Sequence, residues 1–256
     1  MLYILSFSLQ KKALKEFIEV FLNTGFIQPT FSLHGILVLF IKKKDGSLCL
    51  CINFHSLNHI SKKDCYLLPL ISDLLDLSYK AQVYTKINLC HAYHLVHIAD
   101  SDEWKTTFRT CYGLFKWYII SFSLTNTSPA FQQFMNDLFF NLLDVCVMIY
   151  LDDILIYSNN MFKHHWHVEK VFKCLHKAGF YAKAEKCKFY SELVEYLGYI
   201  LSLSGLTMSN DKVKIIQDLP EPKKVKDIQY FLGFANFYCW FIFNYSDIVI
   251  LLTHLT

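Results

Sequence analysis

The chain has 256 residues, enough to bury a sizeable core as one large domain or two small ones. Its 54% hydrophobic content and mean hydropathy of +0.27 are high, yet no apolar run approaches the roughly 18 residues that span a bilayer, so we expect no membrane partner. The net charge is +3, and one of the 25 basic residues is arginine. The nine cysteines have no paired CxxC spacing, which argues against a zinc ribbon and indicates a reducing, intracellular compartment.

The N-terminal half alternates between helices and strands, as the spacing of its apolar residues indicates. We predict helices over 11–23 and 69–77, and strands over 35–41, 47–53, 83–89, 104–109 and 114–120. The turn at 42–46 carries three lysines, which would suit a polyphosphate, although such loops are more often simply solvated.

The C-terminal half is predicted to be richer in helices. Ser128 as the cap, with Pro129 at the first helical position, predicts a helix that runs to Asn141. Further helices are predicted over 162–178, 210–218 and 225–241, with a strand region over 194–200. Short antiparallel hairpins embedded among helices are typical of an α+β fold.

The most distinctive stretch is 148–157, where two apolar arms flank the adjacent carboxylates of Asp152 and Asp153. This pattern predicts a tight hairpin with an acidic tip. Aspartate is an ordinary turn residue, so a solvated tip without function is the competing interpretation. Because the arms do not alternate with polar residues, we expect the hairpin to be buried on both faces. Two adjacent anions at its tip then favour a bound metal ion.

Three histidines, His164, His165 and His167, lie in one predicted helix and are a second candidate metal site. The first two are adjacent, so they point in different directions from a helix. We therefore predict a solvated histidine face and no metal there.

A series of short blocks occurs in a fixed order along nearly the whole chain, at 40–47, 84–87, 91–94, 107–110, 129–132, 150–153, 196–199 and 231–233. Together these blocks resemble the reverse transcriptases of gypsy-type long-terminal-repeat retrotransposons. The resemblance implies an α+β right-hand polymerase fold. Fingers would occupy 1–81, a palm with a fingers insertion 82–204, and the start of a thumb and connection 205–256, before any ribonuclease H domain.

The activity implied by the resemblance is RNA-directed DNA polymerisation, a template-directed nucleotidyl transfer to a primer. Its partners would be an RNA or DNA template with primer and deoxynucleoside triphosphates, and the resemblance leaves the oligomeric state open. Two divalent ions, Mg²⁺ or Mn²⁺, would clamp the attacking and leaving oxygens, and that much positive charge requires several carboxylates.

The same resemblance assigns residues to each role. Asp152 and Asp153 would be two of three catalytic, metal-binding carboxylates, while Lys43 would reach the triphosphate and Tyr93 would pack under the sugar. Considered alone, Tyr93 is equally well explained as a core aromatic. The residues implied for primer and template are Gln132, Lys186, Tyr196, Leu197, Gly198 and Tyr199.

Several positions depart from the family pattern. Asn88 stands where the family has its first metal-binding aspartate, and Cys49 stands where it has an arginine that grips triphosphate. Ser123 replaces a glycine, and a serine would strain the backbone there if the position needs a positive φ. Thr127 replaces an alanine. Each change can arise from one C-to-T transition on one DNA strand or the other, so we expect a degenerate copy of a transposon.

The missing charge at Asn88 predicts little or no polymerase activity, because a neutral amide replaces a charged ligand. Two alternatives stay open. One is an active enzyme that tolerates Asn88, and the other is a non-catalytic remnant that binds nucleic acid through lysines and the Tyr196 hairpin. A reading frame without selected function is the third outcome.

Overall fold

The structure is a computed structural model that describes residues 7–42, 48–70, 81–90, 92–121, 123–203, 205–236 and 238–256. Its helices are α1 (Phe7–Asn23), α2 (His55–Ile60), α3 (Thr127–Leu138), α4 (Met161–Lys177), α5 (Asn210–Gln217), α6 (Val225–Asn236) and α7 (Tyr245–Thr253). Its strands are β1 (Ile27–Pro29), β2 (Ile36–Lys42), β3 (Leu48–Ile52), β4 (Val83–Cys90), β5 (Phe108–Thr110), β6 (Gly113–Trp117), β7 (Val147–Tyr150), β8 (Asp153–Ser158), β9 (Tyr181–Ala182), β10 (Lys188–Ser191), β11 (Leu193–Tyr196), β12 (Tyr199–Ser202) and β13 (Gly205–Met208). In these ranges no helix is both long enough and apolar enough to cross a bilayer.

The N-terminal sheet has the strand order β1-β6-β5-β2-β3 and is antiparallel except where β2 pairs with β5. Helix α1 contributes Leu14 and Ile18 to a hydrophobic cluster with Phe108 and Trp117 of this sheet. The amphipathic pattern over 11–23 therefore produced the predicted helix, which begins four residues earlier, at Phe7. Because β5 and β6 lie far along the chain, this cluster joins two distant segments.

The central sheet has the strand order β10-β4-β8-β7, and β9 pairs with the end of β4. One face packs against a large cluster that includes Ile87 and Ile154, and the other face packs against a cluster that includes Tyr84 and Leu155. Strand β8 is buried from Ile154 to Ser158. The prediction of an acidic hairpin buried on both faces is confirmed.

The third sheet is the meander β11-β12-β13, which follows the central sheet along the chain. Its first turn has φ of +53° at Leu197 and +83° at Gly198. Two consecutive positive φ values are what a type I′ hairpin turn requires, and they match the right-handed twist of the strands. Glycine meets this requirement without strain, whereas Leu197 does not.

Several predicted boundaries differ from the structure. The helix predicted to be capped by Ser128 begins at Thr127 after Asn126, and it ends at Leu138, before Asn141. The strand predicted over 104–109 begins only at Phe108, because Glu103–Thr106 forms a 3₁₀ turn in which the Thr106 hydroxyl donates to Glu103 O.

Toward the C-terminus, the helix predicted over 225–241 ends at Asn236, and α7 was not predicted. Most of the helix predicted over 69–77 lies outside the described residues.

The prediction of a solvated histidine face is wrong. His164 is completely buried between α4 and the central sheet, with its ring nitrogens 2.7 Å from Thr85 Oγ1 and 2.9 Å from Ser158 Oγ. His167 Nδ1 contacts the same Ser158 hydroxyl at 2.7 Å, whereas His165 is exposed and contacts Tyr190 OH. Hydroxyls from two strands satisfy His164, which a helix pattern alone cannot reveal.

Burial, together with the nearby His167, lowers the pKa of His164 to about 4. The folded protein therefore resists a proton that the unfolded chain, with a histidine pKa near 6.5, accepts. This contribution to stability is complete above pH 6.5 and is lost as the pH falls toward 4. We expect the free energy of unfolding to fall by about 2 kcal/mol between pH 7.5 and pH 5 through this group, measured by urea denaturation.

His164→Asn should remove that part of the pH dependence, whereas His176→Asn, at an exposed position of α4, should retain it. Equal pH profiles for the His164 variant and the unmodified chain would contradict the assignment.

Candidate active site

The register between β4 and β8 determines where the acidic pair lies. Their antiparallel pairing runs from Val83 opposite Ser158 to Asn88 opposite Asp153. On the other side of β8, Tyr150 pairs with Asp153, which leaves Leu151 and Asp152 as the two residues of the turn. The structure thus brings Asn88, Asp152 and Asp153 together at one end of the central sheet.

Asp153 is held by two side chains of β4. Asn88 Nδ2 donates to Asp153 Oδ1 at 2.9 Å, and Lys86 Nζ lies 3.7 Å from the same oxygen. Lys86 and Asn88 are half-buried and point to the same face, because side chains alternate along a strand. Sequence reasoning missed Lys86, although counting two residues back from Asn88 would have placed it on this face.

Asp152 lies in the turn, where its carbonyl oxygen accepts the Leu89 N–H at 3.1 Å. Burial raises the pKa of its carboxyl group, and the neighbouring charge of Asp153 raises it further. The positive charges of Lys186 and Lys86 act in the opposite direction on the Asp152 pKa. Lys186, in the 3₁₀ turn Ala184–Lys186, is therefore close enough to Asp152 for its charge to act on the pKa of that carboxyl group. The site holds more negative charge than its surroundings solvate well, which favours binding of a cation.

The turn itself has a strained backbone, because Leu151 has φ of +55°. For a residue with a side chain the left-handed region costs about 1–2 kcal/mol. The buried side chain of Gln132 contacts the first residue of this turn and the strand before it, accepting the Leu151 N–H at 2.8 Å and donating to Ile149 O at 3.1 Å. In this structure its amide contacts the hairpin and Asn136, and the template contact implied by the resemblance stays a prediction.

Tyr93 lies in the 3₁₀ turn Ala92–Leu95, and its ring centroid is 4.4 Å from that of Phe131. Burial, followed by the charges of Asp152 and Asp153, raises the pKa of its phenol to about 12. Tyr93 is therefore neutral at physiological pH and close enough to sense both carboxylates. The position fits a core aromatic at the edge of the site, and contact with a nucleotide sugar stays a prediction.

The hairpin over 196–199 is attached directly to the acidic strand. Tyr196 is completely buried, and its hydroxyl donates to Asp153 O at 3.1 Å. Burial, with the charge of Asp153, raises its pKa well above the ordinary value. Tyr199 stacks on Phe241 with ring centroids 5.6 Å apart, and Leu197 and Gly198 form the turn between them. The hairpin is thus positioned relative to the carboxylates, while its grip on a primer stays a prediction.

The structure does not describe the side chains of two residues predicted to contact the nucleotide. Lys43 lies outside the described residues. Cys49 lies in β3, where its backbone is opposite Ile41, and its side chain is outside the description.

The donors at the tip fit a hard divalent ion only in part. Asp152 and Asp153 supply carboxylate oxygens, which Mg²⁺ and Mn²⁺ prefer. Asn88, in contrast, directs its N–H toward Asp153 and donates where a ligand would accept. Within the described ranges, no group of three or more His, Cys, Asp or Glu side chains could surround an ion. Two carboxylates suit one ion and fall one charge short of the three that the resemblance implies for two ions.

Comparison with known proteins identifies similar chains. A family model described as reverse transcriptase (RNA-dependent DNA polymerase) matches residues 41–201. The Pol polyprotein from transposon gypsy of Drosophila melanogaster is 33% identical over 237 residues, and the Tf2-3 transposon polyprotein of Schizosaccharomyces pombe is 31% identical over 231. Each match covers 90% of this chain but only 23% and 17% of those polyproteins, so the chain spans about a fifth of their length.

Solved structures show the same fold. The foamy viral protease–reverse transcriptase in complex with double-stranded DNA superposes with a TM-score of 0.85 over 95% of this chain and 43% of that chain, at 22% identity. The same viral protein in complex with an RNA/DNA hybrid gives a TM-score of 0.81 over 98% of this chain and 34% of that chain, at 21% identity. The α+β polymerase fold implied by the sequence is therefore confirmed.

Asn88→Asp tests the charge balance at the tip. Without divalent ions, we expect this variant to be about 1–2 kcal/mol less stable than the unmodified chain, because it replaces a hydrogen-bond donor to Asp153 by a third anion. Addition of Mg²⁺ or Mn²⁺ should raise its unfolding temperature, since an ion that binds only the folded state stabilises it.

The matched control is Asn159→Asp, which makes the same charge change at an exposed position just beyond the other end of β8. If divalent ions stabilise both variants equally, the tip is not an ion site.

Proposed function

Because the chain belongs to the reverse transcriptase family, we propose that it is the polymerase domain of a retrotransposon polyprotein whose site has lost one metal-binding carboxylate at Asn88. The observation that carries this proposal is the contact between Asn88 and Asp153, at the ends of two paired strands. There the amide donates a hydrogen bond to a carboxylate that an aspartate would join in holding an ion. We propose weak or absent activity for the chain as written.

The domain boundaries belong to the same proposal. The hydrophobic cluster of the N-terminal sheet supports fingers over 1–81. It also supports a fingers insertion within the palm range, because Phe108 and Ile119 pack with Leu14 and Ile52. The central sheet and helices α3 and α4 would be the palm, within 82–204. Residues 205–256, which contain α5, α6 and α7, would begin the thumb and connection.

Each part of the proposed mechanism rests on residues of the chain. Asp152 and Asp153 would hold a divalent ion, which when bound would activate the primer hydroxyl and neutralise charge on the triphosphate. Neutral Tyr93 would support the nucleotide sugar and exclude a ribose hydroxyl by contact. The hairpin over 196–199, fixed to Asp153 through Tyr196, would hold the primer end in line with the carboxylates. Lys186, already on this side of the site, would balance phosphate charge.

The proposed partners are an RNA or DNA template with its primer, and deoxynucleoside triphosphates. The foamy viral structures of the same fold hold double-stranded DNA or an RNA/DNA hybrid, which supports nucleic acid as the partner of this chain. The surface is rich in lysine, with a net charge of +3, and lysines alone suffice for contact with phosphates.

A second candidate is a non-catalytic chain that retains nucleic-acid binding. The observation that favours it is that Asn88 and Lys86 already contact Asp153, so the tip is stable without an ion while the Tyr196 hairpin keeps its place. Loss of catalysis would then leave the surface that holds primer and template intact.

Primer extension on a defined RNA template tests the main proposal. We expect the chain as written to extend the primer no better than Asp152→Asn, and Asn88→Asp to extend it at least about 10- to 100-fold faster, the range typical of a lost metal partner. The reaction should require Mg²⁺ or Mn²⁺. Extension by the unmodified chain well above the Asp152→Asn control would overturn the argument from charge.

Binding of a fluorescent primer–template tests the second candidate. If lysines contact the phosphates, the dissociation constant should rise steeply with salt, with a slope in log–log form of about 0.7–0.9 for each phosphate contacted. Asp152→Asn should bind at least as tightly as the unmodified chain, because it removes a negative charge near the phosphates. A dissociation constant that hardly changes with salt would count against a nucleic-acid surface.

A further inference from the structure

Gln132 is placed unusually for a residue expected at the template side, because its side chain is completely buried beneath the acidic hairpin. The Gln132 side chain binds the backbone where β7 enters the turn: Oε1 accepts from the Leu151 N–H and Nε2 donates to Ile149 O. Both contacts are with backbone atoms, so they act on the path of the chain. A side chain with no exposed surface cannot touch a template in this arrangement.

The amide of Gln132 has only one orientation that satisfies its neighbours. Nε2 also donates to Asn136 Oδ1 at 2.9 Å, so both of its hydrogens and the carbonyl oxygen are used. Asn136 Nδ2 in turn donates to Tyr66 OH at 2.6 Å. A chain of hydrogen bonds therefore runs from Tyr66, before the central sheet, to the turn that carries Asp152. The orientation of Gln132 is fixed from outside the hairpin.

The turn needs such support, because Leu151 occupies the left-handed region that favours glycine. A strained backbone persists only where the surrounding structure determines it, and such strain is common at functional sites. The two hydrogen bonds from Gln132 are contacts that favour this conformation over a relaxed turn. A relaxed turn would rotate the next residue, Asp152, relative to Asp153.

We infer that Gln132 is a positioning residue of this site: it holds Leu151 in the left-handed conformation and so fixes the direction of the Asp152 carboxylate. The inference rests on the proposed function for the identity of the ion that Asp152 would bind. The effect on the turn is independent of any ion and of nucleotide.

The first experiment measures amide hydrogen exchange by NMR on the full chain without divalent ions. In Gln132→Met, which keeps the size of the side chain and removes its polar atoms, the Leu151 amide should exchange at least about tenfold faster. Amides within β8, such as that of Ile156, should keep their protection relative to the unmodified chain. Gln133→Met is the matched control, since Gln133 is the next residue on α3 and is exposed.

Ile18→Ala separates positioning from general loss of stability. Ile18 is buried in the N-terminal cluster, away from the hairpin, so this variant is destabilised without losing a contact to the turn. It should accelerate the exchange of Leu151 and Ile156 by the same factor. If Gln132→Met also accelerates the two amides equally, or leaves Leu151 unchanged, the inference is overturned.

The second experiment measures Mn²⁺ affinity in the Asn88→Asp background, without nucleotide. Gln132→Met should weaken Mn²⁺ binding by about tenfold, and Gln133→Met by less than about twofold. Adding Leu151→Gly should reduce the effect of Gln132→Met to less than about twofold, because glycine adopts positive φ without help. An equal effect of Gln132→Met with Leu151 or with Gly at that position would overturn the proposed route through the turn.

The two readouts distinguish failure of this inference from failure of the proposed function. If Asn88→Asp binds no Mn²⁺ and extends no primer, the proposed polymerase site is wrong, while selective exchange at Leu151 still supports the role of Gln132 in the turn. If Asn88→Asp is active and Gln132→Met alters neither Leu151 exchange nor Mn²⁺ affinity, the polymerase proposal stands and Gln132 has no positioning role.

Discussion

The antiparallel pairing of β4 with β8 is the constraint on which the rest of the site depends. Both faces of these strands are covered by hydrophobic clusters, so a slip of one residue would turn every side chain to the opposite face. Burial thereby fixes the register, and the register places Asn88 opposite Asp153. An apolar core determines the position of a polar site that contributes nothing to that core.

Hydrogen-bond donors and lysine charges offset part of the negative charge at the paired ends of β4 and β8. Asp153 receives a hydrogen bond from Asn88 and lies beside the positive charge of Lys86, while the charges of Lys186 and Lys86 oppose the raised pKa of Asp152. A third carboxylate in place of Asn88 would add repulsion that only a cation relieves. The asparagine therefore stabilises the tip of the folded chain, and on the proposed function the same donor stands where catalysis needs an anion.

The parts of the structure that local patterns determine could be predicted from the sequence. The apolar arms around Asp152 and Asp153 predicted the buried hairpin, and the amphipathic stretch at 11–23 predicted α1. Contacts between distant segments could not be read in this way. The burial of His164 depends on hydroxyls from β4 and β8, and Gln132 reaches a turn 19 residues further along the chain. Neither the spacing nor the composition of the sequence predicts which hydroxyl, turn or side chain from a distant segment will contact a given residue.

The residues predicted to depart from the family pattern differ in how the fold accommodates them. Thr127 is buried, yet its hydroxyl donates to Ser121 O at 2.7 Å and is satisfied. Ser123 would be strained at a positive φ, but it is not among the described residues with a positive φ. A polar side chain can find a backbone acceptor nearby, so such changes cost the fold little.

On the proposed function Asn88 stands in the place of a charged ligand, and a hydrogen bond does not replace a formal charge. Among the described residues, Lys86 lies 3.7 Å from Asp153, and the charges of Lys186 and Lys86 both oppose the raised pKa of Asp152, so both act against binding of a cation. The Asn88 side chain donates a hydrogen bond to Asp153, which stabilises the tip in the absence of an ion. On the proposed function, a change of this kind removes chemistry from the site while the polymerase fold persists.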